Sequence, residues 1–518
     1  MISIPRRRQA ASALLALGAV LSAGACSVAN SGPEASSSGA ANSVRIVLPE
    51  EPPTLEPCDA SLTATGRVTR ANITEALTER DPGTGQLQPA LATEWKQGSP
   101  TEWTFTLRKG VKFHDGTAFD AKAAAFSIER TVGSKIDCNV DGYVFGDVKL
   151  TVTVADDSTL KVKTAKPDPI LPLRLSFVEI VPTTTSATGK VREPVGTGPY
   201  KIAKWDAGRS LRLERFAGYW GKAPDFAAAE YVWRTEGSIR AAMIKSDEAD
   251  IAVGLAPEDG AGDSAVQFPN NETSYLRIDA TKPPLNDIRV RQAINYAVDK
   301  DGLVASVFAG LGKPAAQVVP EGVTGHSSAI QPWPYDMAQA KKLIAEAKAD
   351  GVPTDTPITI IGRNGIYPKA AEAMEVVQNS LNEAGLTMKI QMLDVNAWLE
   401  YLLAPFPKNI GPTLLQAQHG NQAGDAAFTM GQIYGSKGAQ SSYGTAELDD
   451  LISAAEQDSG EERQAAFAKA LEYQNKEVVR DAVLAHMTGI LALSKKVAYK
   501  PNAATNDEMR LAEIHPAG

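Results

Sequence analysis

The sequence predicts α/β domains, on three observations. A strand, a tight turn and a helix follow one another within residues 103–130. Strand, helix and strand recur over 358–393. The chain's 518 residues suffice for two or three domains with sizeable cores. In the first block Trp103, Phe105 and Leu107 alternate with Thr104, Thr106 and Arg108, the period of a half-buried strand. Asp115-Gly116 supplies the turn, because glycine reaches a positive φ that other residues resist. Asp120 is placed to cap a helix with Ala121, Ala124, Ala125 and Ile128 on its apolar side.

The remaining elements fall in order along the body. Residues 44–48 form a short apolar strand, and the prolines after it stop any regular element. Residues 71–81 have a helix-like pattern that ends at Pro82-Gly83. Alternation over 148–154 and 159–162 around an Asp-Asp-Ser turn gives a hairpin. A turn-rich stretch leads into strand near 200, and residues 210–220 continue it as strand and loop. Helix is expected at 239–244, buried strand at 250–253, one amphipathic helix over 285–307 and another over 337–348. The strand–helix–strand unit at 358–361, 369–383 and 388–393 implies a parallel or mixed sheet. Two long helices, 446–456 and 463–480, come last.

Composition narrows the class. Hydrophobic residues make up 43% and charged residues 22%, as in a globular body, and the formal net charge is −9. An acidic balance argues against a nucleic-acid partner, whose phosphates need a basic face. Residues 1–25 read as a signal peptide: Arg6, Arg7 and Arg8 precede an apolar stretch too short to span a bilayer comfortably. Ala23-Gly24-Ala25-Cys26 resembles a bacterial lipobox, although Ala23 stands where leucine is more usual. That resemblance implies acylation of Cys26 and attachment to the outer face of the cytoplasmic membrane. The alternatives are an ordinary signal peptide with a chance cysteine, or a twin-arginine signal that lacks the following Phe-Leu-Lys. Residues 26–43, rich in Ser, Ala, Gly and Asn, read as a flexible tether. Cys58 and Cys138 remain, either as the disulfide common in exported proteins or as two free thiols.

Several blocks, in order, resemble one family: Pro-Pro-Thr-Leu-Glu-Pro at 52–57, Leu-Gln-Pro-Ala-Leu-Ala-Thr-Glu-Trp at 87–95, the 103–130 block, Gly196-Thr197-Gly198-Pro199-Tyr200, the segment 286–304, and the helix opened by Tyr335. On these the chain is identified as a member of the extracellular solute-binding proteins of oligopeptide-, dipeptide- and nickel-type ABC importers (family 5). The resemblance implies a two-lobed clamshell, like that of periplasmic binding proteins, with an extra subdomain in the first lobe. Mapped here, lobe I takes 44–280 and 485–518, with the extra subdomain at about 75–185, and lobe II takes 281–484. Hinge passages fall near Ile278 and Ala485. Such proteins act without catalysis or cofactor, close by hinge motion around a small solute, and deliver it as monomers to a membrane permease and its ATPase.

The ligand residues are less plain. Peptide-binding members pair a Gly-Trp strand with the peptide backbone and meet its α-ammonium with a nearby Asp. The matching segment here, 414–428, holds no tryptophan. The anchoring position corresponds to Gln422, Gly424 or Asp425, depending on register. Candidate contacts are therefore His419, Asn421, Gln422 and Asp425, with Trp398 on a helix near the cleft. Tyr143 and Phe145 lie where the extra subdomain approaches the ligand, and Ser61 and Thr63 lie on a further edge segment. Each aromatic has core packing as its alternative role. Gly196-Thr197-Gly198 lacks the later glycine of a phosphate loop, and Pro199 offers no N–H. His114-Asp115 belongs to a turn. Nucleophile-elbow and zinc-hydrolase motifs are absent from the sequence. The expected solute is a peptide. The alternatives are a nickel chelate, an oligosaccharide or another metabolite carried by the same receptor, or, in a different class, an exported enzyme or envelope interaction protein.

Overall fold

The structure is a computed structural model describing residues 42–518 apart from 147, 261, 503 and 505–507. The expected signal peptide and Cys26 lie outside the described residues. The tether ends sooner than expected, since Ser43 already pairs with Ala228.

One sheet of eleven strands organises the body. At one end Met388–Leu393, Ile358–Arg363 and Thr413–Gly420 run parallel. The helix Ala370–Glu383 provides the crossover between the first two of these in sequence. At the other end Ser43–Leu48 lies between Ile251–Val253 and Ala228–Trp233, parallel to both. Ser210–Arg215 and Tyr200–Asp206 extend that end antiparallel. Two long strands, Ala265–Ile278 and Asp481–Leu493, join the ends. They pair with each other along most of their length. The far part of Asp481–Leu493 pairs with Ile251–Val253, while residues 272–278 pair with Thr413–Gly420. Register shifts interrupt the pair between Pro269 and Thr273 and again between Ser274 and Tyr275. A bulged ladder at this passage is a natural place for bending.

Cores lie on both faces of both ends, so the body is two-lobed. In the second lobe, one core gathers Val290, Ile294, Ile344, Met374 and Val377 against Leu276, Ile360 and Leu414. The opposite core sets Leu448, Ile452, Phe467 and Leu471 against Ile361 and Leu415. The first lobe packs Ile46, Tyr231, Leu213 and Leu491 on one face and Val47, Ile244 and Ile490 on the other. A separate core, drawn from residues 77–180 together with Ala423 and Phe428, belongs to the extra subdomain, whose four-stranded sheet contains Glu102–Leu107. Phe105 and Leu107 are buried there, as their alternation requires. Trp103 is half-buried and donates from Nε1 to the Asp168 carbonyl, 3.1 Å. Asp120 caps Ala121–Thr131 by accepting from Lys122 and Ala123 N–H.

Gly-Thr-Gly-Pro-Tyr has a steric explanation. A Cβ at Gly196 would lie 2.1 Å from the Ile73 carbonyl oxygen, and one at Gly198 2.4 Å from that of Asn72. Two backbones touch here. Gly198 N–H donates to the Ile73 carbonyl and Tyr200 N–H to that of Asn72. This overturns the helix expected over 71–81: carbonyls that a helix would use internally are spent on the neighbouring chain, and only Thr78–Arg80 is regular, as strand. His114 closes the same corner. Its Nε2 lies 3.0 Å from the Gly198 carbonyl, and its Nδ1 accepts from Gly196 N–H at 3.3 Å, which defines a neutral Nε2–H ring. Burial holds its pKa down at about 4.

Two further expectations change. The helix over 285–307 is two, Ile288–Ala297 and Lys300–Ser306, because Asp299 turns the chain and accepts from Gly302 N–H. The helix expected to reach 480 ends at Tyr473, followed by a wider turn at Gln474–Val478 and a left-handed Val479, φ 48°. Cys58 and Cys138 are joined by a disulfide that ties the proline-rich segment to the extra subdomain. Beside it, buried Glu56 accepts from Nη1 and Nη2 of Arg130, at 2.6 and 3.0 Å.

Candidate functional site

Strand Thr413–Gly420 lies in the sheet between Ile358–Arg363 and the long strand Ala265–Ile278. Only Thr413–Leu415 pair with Ile358–Arg363 on one edge, whereas residues 414–420 all pair with Ala265–Ile278 on the other. From Ala417 onward this strand therefore has a single strand neighbour. Gln418 and Gly420 are half-exposed along it.

The end of this strand and the segment after it hold His419, Asn421, Gln422 and Asp425, and the side chains of His419, Asn421 and Asp425 are spent internally. His419 is buried, and its Nε2 lies 2.8 Å from Thr429 Oγ1. That hydroxyl donates onward to Asn421 Oδ1 at 3.1 Å, and Asn421 Nδ2 donates to the Val318 carbonyl. Burial lowers the His419 pKa to about 4, so the ring is neutral at physiological pH. Asp425 is 4% exposed and receives both Nε and Nη2 of Arg463 at 2.8 Å. Gln422 is half-buried with its side-chain oxygen unpartnered among the described residues, and its carbonyl accepts from Arg80. Gly424 lies beneath the Arg80 guanidinium, 2.2 Å from where its Cβ would be. No carboxylate of residues 414–428 is thus free to meet a cation.

Trp398 is 3% exposed within the second lobe's core and donates from Nε1 to the Gln416 carbonyl at 2.9 Å. Arg363, at the C-terminal end of its strand, lies 5.4 Å over the Trp398 ring. It is half-buried, with its Nε unpartnered among the described residues, and burial lowers its pKa. Ser61 donates to Asn139 Oδ1 and Thr63 is exposed at a helix start, and neither lines the groove described next.

Tyr143 and Phe145 do come together with the second lobe. They line a groove of about 760 Å³ between the extra subdomain and the second lobe, facing Ala427, Phe428 and Gly431. Tyr143 Oη approaches the Gly420 carbonyl at 3.5 Å, and burial pushes its pKa up to about 12. Ala423 and Phe428 pack within the subdomain's core, and Phe428 also lines the groove. Sequence reading missed Arg363, Arg80, Arg174, Phe428 and Glu456. Phe428 is the last residue of the segment singled out, but nothing local marks the charged residues, which meet across the fold.

A two-lobed α/β body, joined by two continuous strands and holding a half-paired strand and a groove between its parts, defines a clamshell solute-binding protein. The chain belongs to the bacterial extracellular solute-binding proteins, family 5, whose middle-region model matches residues 86–446. The glutathione-binding protein GsiB of Salmonella choleraesuis (strain SC-B67) is 28% identical over 353 residues, covering 65% of this chain. The match spans 66% of that relative's length. Two solved structures share the fold. The periplasmic binding protein DppA of Helicobacter pylori, in complex with the peptide STSA, gives a TM-score of 0.77 at 22% identity, over 92% of this chain and 98% of its own. NikA of Staphylococcus aureus, in complex with Ni(L-His)2, gives 0.73 at 21% identity, over 90% and 99%.

Proposed function

We propose that this protein is the substrate-binding lipoprotein of an ABC importer, that it captures peptides between its lobes, and that it hands them to a membrane permease. The observation that carries the peptide reading is the strand Thr413–Gly420, which loses one strand neighbour after Leu415. An extended peptide adds to such an edge through main-chain hydrogen bonds that tolerate varied side chains. The relative named as glutathione-binding and the fold neighbour holding a tetrapeptide support the same substrate class. Attachment through acylated Cys26 and action as a monomer belong to this reading. So do a first lobe over 44–280 and 485–518, with its subdomain at about 75–185, and a second lobe over 281–484. The register shift at Pro269–Thr273 supports a hinge a few residues before Ile278.

A second reading keeps the receptor and changes the solute. Asp425 is locked by Arg463 and Gly424 has no side chain, so an α-ammonium finds no acid at those positions. That favours a solute without a free amine there, such as a metal chelate or a sugar. Native mass spectrometry of the purified full-length chain with its co-purified ligand separates the two. A thermal-shift panel of di- to pentapeptides, nickel–histidine and oligosaccharides supports it, since ligand in excess raises the melting temperature by mass action. Shifts with peptides are expected. Shifts with only a chelate or a sugar refute the peptide reading.

A further inference from the structure

The groove wall that carries Tyr143 hangs on a sparsely anchored loop. The helix Ala121–Thr131 precedes this loop, and the wide turn Asp141–Phe145, which lines the groove, follows it. Residues 133–138 make no backbone-to-backbone hydrogen bond among the described residues. Gly133, Lys135 and Asp137 are exposed, and Asp137 has a left-handed φ of 55°, which a non-glycine residue adopts at some cost. Within 133–138 only Ile136 and Cys138 are buried, and among the described residues their small apolar cluster has one further member, Cys58. The disulfide is thus the loop's main hold on the body. Two hydrogen bonds act beside it. Asn139 N–H donates to Asp59 Oδ1 at 3.0 Å, and Ser61 Oγ donates to Asn139 Oδ1 at 2.5 Å.

The far side of the crosslink is firmly held. Cys58 belongs to the short turn Pro57–Asp59. Buried Glu56 accepts from Cys58 N–H at 3.1 Å, from Val191 N–H at 2.6 Å and from Arg130. Arg130 donates also to the Ser186 and Gly189 carbonyls. Arg130 and Cys138, on either side of the loop, are therefore fastened to one segment, 56–59. Beyond the loop the wall forms an arch with two feet. Val140 enters the subdomain's core as the first foot, two residues after the crosslinked cysteine. Val144 and Phe145 enter it as the second, where Arg174 also holds the Val144 carbonyl. Asp141, Gly142 and Tyr143 span the arch and are half-buried or exposed. Asp141 accepts from Gly133 N–H at 3.0 Å, which ties the span back to the loop.

We propose that the Cys58–Cys138 crosslink is a strut for the groove: it fixes the first foot of the arch, and with it the place where Tyr143 meets a bound solute, a role that rests on the receptor reading above. A wall already in place loses less freedom when a solute binds. Hydrogen exchange of the full-length protein without ligand tests the strut, comparing the parent with Cys58→Ser/Cys138→Ser. Exchange about tenfold faster is expected over 133–143, with 102–107 unchanged, since segments open independently of one another. Equal exchange overturns the proposal. Faster exchange across the whole subdomain, or a variant that does not fold, also overturns it, because the crosslink then carries the fold rather than the groove. Isothermal titration with tetra-alanine tests the link to Tyr143. The crosslink variant is expected to bind about fivefold more weakly than the parent, whereas the same two changes made in Tyr143→Ala leave affinity unchanged. Equal affinity of parent and crosslink variant, or an equal loss in both backgrounds, overturns the positioning role and leaves the receptor reading standing. If the parent does not bind tetra-alanine, the peptide reading fails, and exchange alone decides the strut.

Discussion

Replacing Asp425 by Asn removes one charge from an ion pair sealed from solvent. The Arg463 and Asp425 side chains are 3% and 4% exposed, and two N–H···O contacts of 2.8 Å join them. The variant keeps the shape and one acceptor, but it turns an NH2 group toward the guanidinium and leaves a buried cation without its counter-charge. Breaking a buried pair from one side costs on the order of 3–5 kcal/mol. The three carbonyls that also accept from Arg463 Nη1 offset part of this, which places the expected loss near the lower bound, about 3 kcal/mol. Urea denaturation of parent, Asp425→Asn, Arg463→Met and the double variant measures it, with the double variant recovering stability relative to Asp425→Asn. A loss below about 1 kcal/mol for Asp425→Asn, as for an exposed pair, refutes the structural role. A drop in ligand affinity at unchanged stability would instead return Asp425 to the binding site.

Glu75 is 9% exposed and accepts from Thr197, Tyr219 and Trp220, all neutral donors. Burial raises its pKa from 4.5 to about 7. A raised carboxyl pKa means stability that is fully present below 4.5 and lost as pH rises through 7. Glu75→Gln is therefore expected to gain on the parent between pH 5 and pH 8, by up to about 3 kcal/mol. Denaturation midpoints at the two pH values measure the gain, and a pH-independent difference sinks the idea. Gly196→Ala forces a Cβ to within 2.1 Å of the Ile73 carbonyl oxygen, so backbone must move. A loss above roughly 3 kcal/mol is expected, and an unchanged melting temperature refutes the contact.

Local signals read well where an element is decided by its own residues. The alternation at 103–107, the Asp120 cap and the strand–helix–strand at 358–393 appear as expected, because periodicity and capping act over a few residues. The two long strands that join the lobes went unread. Ala265–Ile278 holds Pro269 and Asn-Asn-Glu in its middle, so its alternation is broken where its register shifts. Asp481–Leu493 is apolar nearly throughout, as a strand covered on both faces must be, and lacks the period that marks a half-buried one.

By itself the sequence determined the α/β class, the ordered motif blocks and hence the family, since these rest on short-range patterns. It also pointed to the segment 414–428. Only the tertiary structure decided which polar residues of that segment are free, because a buried group's availability depends on partners far away in the chain. Arg463 claims Asp425, the Thr429 hydroxyl claims His419 and Asn421, and the packing of the second lobe claims Trp398.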